Sequence, residues 1–347
     1  MADRMSAVVL AAPDCFALRG DVPMPSPAAG QVLVRVRSTT VCGTDRKIFA
    51  GQFPGTPFPH IPGHEFAGSI AALGTGVDGL AVGDPVGVEV HAGCGRCARC
   101  LEGLYQLCEN YGRLEAGHAH IGFTTPGGLA QYVGVPRKAV HRLPRELDFD
   151  QGAFCDNIGI ALYAVERGRL AAGERVAVIG SGAFGALAAS VARALGAARV
   201  ALVGTRVERM QRLSSFADVL LEPGDDVPLA LGGPPDLVIE FAGTADAARQ
   251  AILMARRGGR VVLAGSTGPG RELSGVDLST IVRGHLDILG SLANPRGISR
   301  RGLELLARGV VDARPLITHH FSLGDFATAW QTFVERRDGA IRVMLHP

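Results

Sequence analysis

Residues 174–196, ERVAVIGSGAFGALAASVARALG, decide the fold class. The apolar run ERVAVIG has no polar alternation, so both of its faces are covered, as in a parallel sheet. It ends in Gly180-Ser181-Gly182-Ala183-Phe184-Gly185 and passes into a helix-length segment. G-x-G-x-x-G between a strand and a helix suits a dinucleotide. Gly180 permits the tight turn, Gly182 lets a pyrophosphate approach the backbone, and Gly185 lets the helix pack closely. The amides of the first helical turn, at Ala183 and Phe184, face the anion. RVALVG, DLVIEF, RVVLAG and LDILGS repeat the strand pattern, separated by helical segments such as ADAARQAILMARRG. The chain from about 156 to 293 is therefore read as α/β, a doubly wound parallel sheet covered by helices.

The second strand of that series ends at Gly204-Thr205-Arg206, where an NAD enzyme carries an acid for the ribose 2'-hydroxyl. A hydroxyl and a guanidinium stand there instead, and Arg offers planar, bidentate donors to a 2'-phosphate. NADP(H) is expected over NAD(H), and Gly204→Asp with Arg206→Ala is expected to turn the preference.

Before residue 155 the pattern is different. SAVVLAA, QVLVRVRS, EFAGSIAAL and DPVGVEV are short, strand-like and bounded by Gly, Pro or Asp. Within this lobe, at about 91–110, lies CGRCARCLEGLYQLC. Cys94, Cys97, Cys100 and Cys108 have the C-x2-C-x2-C-x7-C spacing of a closed tetrahedral zinc site, which braces a lobe and does no chemistry. Disulfides would need an oxidising compartment, and MADRMSAVVLAAP lacks the charged and apolar regions of a secretory signal. Upstream, CGTD places Cys42 and Thr44 22 residues before the PGHEFAG segment, which carries His64 and Glu65. A thiolate, an imidazole and carboxylates are the donor types of an open, reactive zinc site. Singly, a Cys is as often a small buried hydrophobe and a His a satisfied core residue. The tail from about 294, with the helix RGLELLARGV and the strand AIRVMLHP, is expected to return to the first lobe.

The bulk properties bound the partners. The chain has 347 residues, enough for two cores, and 47 glycines and 20 prolines suit a turn-rich α/β protein. Lys+Arg 35 against Asp+Glu 33 leaves a formal charge of +2, which gives no electrostatic reason for nucleic acid or an anionic membrane. Apolar runs stop well short of the ~20 residues a membrane span needs. A cytoplasmic protein is expected.

Taken together, CGTD, PGHEFAG, the four-cysteine lobe, PGGLAQY, the glycine-rich turn, PLITHHFSL and AIRVML resemble a zinc-dependent alcohol dehydrogenase of the medium-chain dehydrogenase/reductase superfamily, over essentially the whole chain. The resemblance implies a Rossmann domain inserted in a GroES-like catalytic domain: 1–155 catalytic, 156–293 dinucleotide-binding, and 294–347 returning to the catalytic part. It also implies two zinc ions, a small alcohol or ketone substrate, and a homodimer or homotetramer in which HLDILGS forms the pairing edge. Cys42 and His64 are the implied ligands of the reactive zinc, with either Glu65 or the junction residue Asp156, in AFCDNIGIALYA, as the third. Asp156 is favoured with Glu65 close behind, and the neighbouring Cys155 stays open. Thr44 is the implied proton-relaying hydroxyl, whose alternative is a helix cap. Lys47 occupies a position where relatives often carry a relay His. Arg342 is the residue implied to reach the pyrophosphate. Polyol dehydrogenases tend to place an Arg where this chain has Ala293, with Arg296 displaced, which weakens a sorbitol-like substrate. Phe49, Phe53 and Phe58 are candidates for an apolar pocket. Competing readings are a zinc-independent quinone or enoyl reductase of the same superfamily, a zinc module recognising nucleic acid or protein, and a non-catalytic NADP(H)-sensing protein.

Overall fold

A computed structural model of the chain describes residues 3–266, 268 and 270–347, and only the backbone at 207 and 208. It divides into two compact units, Met1–Asp156 with Asn294–Ala307 and Ile317–Pro347, and Asn157–Ala293 with Arg308–Leu316. Residues 308–316 thus group with the second unit, where the sequence suggested an unbroken return from 294.

The second unit is built on six parallel strands in the order Val219–Leu221, Arg199–Val203, Arg175–Ile179, Leu237–Glu240, Arg260–Leu263 and Asp287–Gly290. The order reverses at the first strand in sequence, Arg175–Ile179, which is the switch point at which such sheets bind ligands. Val176, Ala177, Val178, Val200, Ala201, Val238 and Val261 are buried, which explains why these strands read as continuous apolar runs rather than as alternations. The helix Ala183–Ala194 follows directly, and alanines dominate its buried face. The helix expected from 245 to 258 spans only Ala245–Met254.

The first unit carries a seven-stranded sheet. Its path runs Ile317–Ser322, Arg342–His346, Gln31–Val41, Glu65–Leu73, Pro85–Val88 and Val140–Arg142, and Tyr132–Pro136 also pairs with Gln31–Val41. Arg4–Ala12 and Cys15–Pro23 form a separate hairpin, and His91–Ala92 pairs with Ala119–His120. One apolar cluster includes Val32, Val34, Phe66, Ile70 and Val88. Another gathers Val8, Ile48, Phe49, Phe326 and Leu345, with Phe49 stacked on Trp330 at 4.2 Å between ring centres.

Strand register positions the chemistry. Thr40 pairs with Glu65 in antiparallel fashion, so Cys42, just past the end of one strand, meets His64, just before the start of the next. Val343 pairs with Val41, which brings Arg342 beside the same corner. Gly63 makes the entry into that corner possible: its φ is +97°, and a Cβ there would lie 2.5 Å from the Leu129 nitrogen.

Candidate active site

Cys42, His64 and Glu65 are buried, and one donor atom from each lies within 4.8 Å of the others. Asp45 organises two of them: its Oδ2 accepts the Cys42 amide at 2.8 Å, and its Oδ1 stands 3.1 Å from His64 Nδ1. A carboxylate on Nδ1 orients the imidazole and leaves Nε2 as the donor atom towards a cation. Burial disfavours the His64 imidazolium, but the Asp45 charge, with help from the Cys42 sulfur, raises the pKa well above its usual value. Glu65 is held from behind. Thr40 donates its hydroxyl to Oε2 at 2.6 Å, and Arg342 Nη1 lies 2.9 Å from the same oxygen.

The charges test whether a cation fits. With Cys42 as thiolate and the His64 ring neutral, the forms in which both bind a metal, the Cys42, Asp45 and Glu65 groups would carry three negative charges against the one of buried Arg342, an excess of two in a dry corner. A divalent ion offsets that remainder, and a thiolate, imidazole and carboxylate set is what zinc accepts.

Asp156 lies outside this three-donor group. Its Oδ1 accepts from the Val90 amide at 3.1 Å and from Asn294 Nδ2 at 2.7 Å, and burial pushes its pKa up to about 7. Cys155 is buried too, and burial raises its thiol well above the usual range. Arg342 is buried and its Nη1 lies 2.9 Å from Glu65 Oε2, where its permanent charge offsets a carboxylate in that dry corner. Thr44 Oγ1 lies 3.9 Å from the Cys42 sulfur, and although Thr44 precedes the helix Asp45–Phe49 its side chain makes no capping hydrogen bond.

In the four-cysteine lobe all sulfurs lie within 4.8 Å of one another, and the Cys94–Cys100 and Cys97–Cys108 separations are 3.9 and 4.0 Å. A tetrahedral ion with Zn–S bonds of about 2.3 Å requires roughly 3.8 Å between sulfurs. All seven cysteines are unpaired. Burial works against a Cys94 thiolate, but donors including the Arg96 amide and Asn110 Nδ2 hold its pKa down at about 5. Lys138 reaches in and donates to the carbonyls of Gly93 and Gly117, pinning both ends of the lobe.

At the glycine-rich turn Gly180 has φ +119°, and a Cβ there would sit 2.9 Å from the Ala242 nitrogen. A Cβ on Gly185 would run into the Gly180 carbonyl. At Gly182 a Cβ would meet nothing within 4 Å, so packing does not explain that glycine, whereas approach of a ligand to the backbone does. Gly182 caps Ala183–Ala194 without a side-chain bond, and the first-turn amides remain available to an anion. Phe184 stacks near Phe241, with ring centres 6.0 Å apart. Gly204 is buried and a Cβ on it would collide with Ser181, while Thr205 and Arg206 are exposed.

Two family models match this chain, the alcohol dehydrogenase GroES-like domain over residues 28–145 and the zinc-binding dehydrogenase domain over 183–308. A sorbitol dehydrogenase of Bacillus subtilis is 28% identical, with 94% of this chain and 93% of the relative covered. An L-threonine 3-dehydrogenase of Pyrococcus furiosus is 30% identical over 99% and 100%. Among solved structures, a candidate zinc-binding dehydrogenase of Sinorhizobium meliloti 1021 bound to NADP superposes with a TM-score of 0.90. It shares 32% identity over 99% of this chain and 100% of its own. The chain belongs to the family of zinc-dependent alcohol dehydrogenases of the medium-chain dehydrogenase/reductase superfamily. It is an oxidoreductase with a Rossmann sheet and a GroES-like catalytic unit.

Several parts of this dehydrogenase are not individually readable from its sequence. Asp45 was visible within CGTD, but its grip on His64 depends on a turn that sequence spacing does not resolve. Thr40 and Asn294 gave no signal. Of the three candidate pocket phenylalanines, Phe49 belongs to the Trp330 stack, Phe53 leans on Phe123 at 4.8 Å, and Phe58 is exposed.

Three buried imidazoles, His91, His118 and His120, gather near Tyr111, whose hydroxyl meets His120 Nδ1. Burial, reinforced by His118, lowers His91 to about 3, and burial lowers His118 to about 4. The unfolded chain protonates such groups near pH 6.5, so their stabilisation is complete above that value and is lost as pH falls towards 4. His91 alone is expected to cost the dehydrogenase about 2 kcal/mol at pH 5. Melting temperatures between pH 7 and 5 should therefore fall steeply for wild type and less for His91→Gln. Equal slopes would assign the acid sensitivity to other groups.

Proposed function

We propose that this chain transfers a hydride between NADP(H) and a secondary alcohol or polyol and its ketone, using zinc at Cys42, His64 and Glu65. The observation that carries this reading is the buried corner in which Cys42, His64 and Glu65 bring a thiol, an imidazole and a carboxylate within 4.8 Å of one another, on a chain that also has the dinucleotide turn. When bound, the zinc supplies Lewis acidity towards the alcohol or ketone oxygen, and the nicotinamide accepts or donates the hydride. Asp45 fixes the His64 ring, Thr40 and Arg342 fix Glu65, and the Cys42 amide is tied to the same Asp45, so the donor set is held before any ligand arrives. Asp156 stays behind this set as a carboxyl that Val90 and Asn294 orient.

Thr44, with no cap to make, takes the alcohol proton through its hydroxyl. Thr44→Val is expected to lower turnover about 10- to 1,000-fold, and Lys47→Ala much less. Similar losses in steady-state kinetics would put Lys47 in the relay.

Support for NADP(H) comes from exposed Arg206 and Thr205 beside Gly204, and from the bound NADP of the Sinorhizobium relative. An acid at 204 would need Ser181 to move, so Gly204→Asp is a poorer switch than the sequence suggested. Arg206→Ala is the cleaner test. It is expected to raise the KM for NADP+ about 10- to 100-fold, the loss of charge-assisted hydrogen bonds, while leaving NAD+ nearly unchanged. Parallel changes for both cofactors would refute the assignment.

The strand Asp287–Gly290 closes one edge of the Rossmann sheet, which supports pairing of two chains there. Unpaired cysteines suit a reducing cytoplasm, and among the described residues no helix is long and apolar enough to cross a membrane. A screen of secondary alcohols, sugar alcohols and cyclitols with NADP+ and NAD+, followed at the reduced-nicotinamide absorbance, tests the whole reading. Turnover with NADP+ on at least one class is the expected result. Silence on every class from zinc-replete protein would instead favour a specialised reductase or a sensor.

A further inference from the structure

We propose that Asp150, His320 and His346 form a third metal site, facing solvent, for a divalent transition-metal ion. The three residues come from three elements of the GroES-like unit. His320 lies on the edge strand Ile317–Ser322 and His346 on the neighbouring Arg342–His346, while Asp150 is in the first turn of Phe149–Gly152. The two strands are parallel and Ser322 is opposite His346, so His320, two residues back, shares the face of His346. One donor atom from each residue lies within 4.8 Å of the others.

Hydrogen bonding sets the donors. His346 Nδ1 is 3.2 Å from the Arg37 carbonyl, which only accepts, so the proton sits on Nδ1 and Nε2 carries the lone pair, which accepts from His320 or could bind an ion in its place. That Nε2 is 3.2 Å from His320 Nδ1, and His320 Nδ1 is 3.7 Å from Asp150 Oδ2. Asp150 Oδ1 accepts from the Ser38 hydroxyl at 2.5 Å and lies 3.8 Å from His346 Nδ1, while Oδ2 is the oxygen towards His320. The two rings are nearly parallel, 5° apart, with centres 5.5 Å from each other. A tetrahedral ion bound at about 2.0–2.1 Å holds its donors roughly 3.4 Å apart, between the two spacings seen. Without an ion, the same pair is joined by a single imidazole–imidazole hydrogen bond.

Two imidazoles and one carboxylate select zinc, nickel or copper over magnesium or calcium. The side chains of His320 and His346 are 53% and 42% exposed, so ions can reach them directly and waters complete the shell. Such an ion would cross-link the edge strand, its neighbour and the helix beneath, so its role is to fasten that corner of the sheet. None of the three residues belongs to the three-donor corner or the four-cysteine lobe.

The holoenzyme, with its cysteine-bearing sites filled, would be dialysed to equilibrium against micromolar Zn2+ and its metal counted by mass spectrometry, alongside His320→Gln and the His320→Gln/His346→Gln double variant. Wild type is expected to take up one more zinc per chain than the double variant and to gain a few degrees in Tm on addition of the ion. The single variant is expected to bind the extra ion at least about tenfold more weakly. Turnover should be unchanged in all three proteins. A double variant that keeps the extra equivalent, or a wild type that takes up none, would overturn the site. If the double variant misfolds, the exposed His320→Gln decides the matter alone, since equal binding there also overturns it.

Discussion

Cys42→Ser and His64→Ala are each expected to lower kcat/KM about 10^3- to 10^5-fold, the several kcal/mol that a Lewis-acid cation contributes. Melting curves should show the fold intact, and metal analysis should show one zinc equivalent lost per chain. A finer comparison separates the two candidates for the third donor. Glu65→Gln removes a carboxylate that reaches the donor corner and takes the charge of one buried ion pair away from Arg342, a change worth up to roughly 3–5 kcal/mol. It should lose zinc and stability together. Asp156→Asn keeps an oxygen able to accept from the Val90 amide, so it should retain zinc with at most a modest change in rate. The reverse pattern, zinc lost from Asp156→Asn and kept by Glu65→Gln, would restore Asp156 as the ligand.

The second large effect belongs to the four-cysteine lobe. Outside its sulfurs the lobe has little apolar core: Tyr105 is the main side chain packed among the four cysteines. A structural zinc in a small module contributes about 10–16 kcal/mol to local folding, more than any contact in this lobe could replace. Cys97→Ser or Cys100→Ser is therefore expected to lower Tm by about 10 °C or more. Residues 94–118 should become the first segment cut in limited proteolysis, with one zinc equivalent released. Lys138 adds to the same lobe through its two carbonyl contacts, and Lys138→Met should loosen the lobe without removing the zinc. An unchanged melting curve in either cysteine variant would mean that the lobe is held by packing instead.

How far the sequence could be read follows from where each signal was stored. The turn at 180–185 and the four cysteines are local patterns in which spacing alone carries geometry, and the parallel sheet shows in unbroken apolar runs because both faces are covered. Cys42 and His64 were legible as residue types, but what brings them together is the pairing of Thr40 with Glu65, a register that no local pattern states. Arg342 lies 300 residues downstream of Cys42 and meets Glu65 only because Val343 pairs with Val41. Asp156 was placed by analogy at a domain junction, and its partners, the Val90 amide and Asn294, come from distant segments. Gly204 reads as replaceable by an acid, but a Cβ there would meet Ser181 of the glycine-rich turn, a contact between two segments that no local pattern states.

Anomalous scattering measured at the zinc edge, from crystals of zinc-replete protein, tests the central claim most directly. A strong peak is expected within bonding distance of Cys42 Sγ, His64 Nε2 and a Glu65 carboxylate oxygen, with another at the centre of Cys94, Cys97, Cys100 and Cys108. Density only among the four cysteines, in an enzyme that still turns over, would contradict the account.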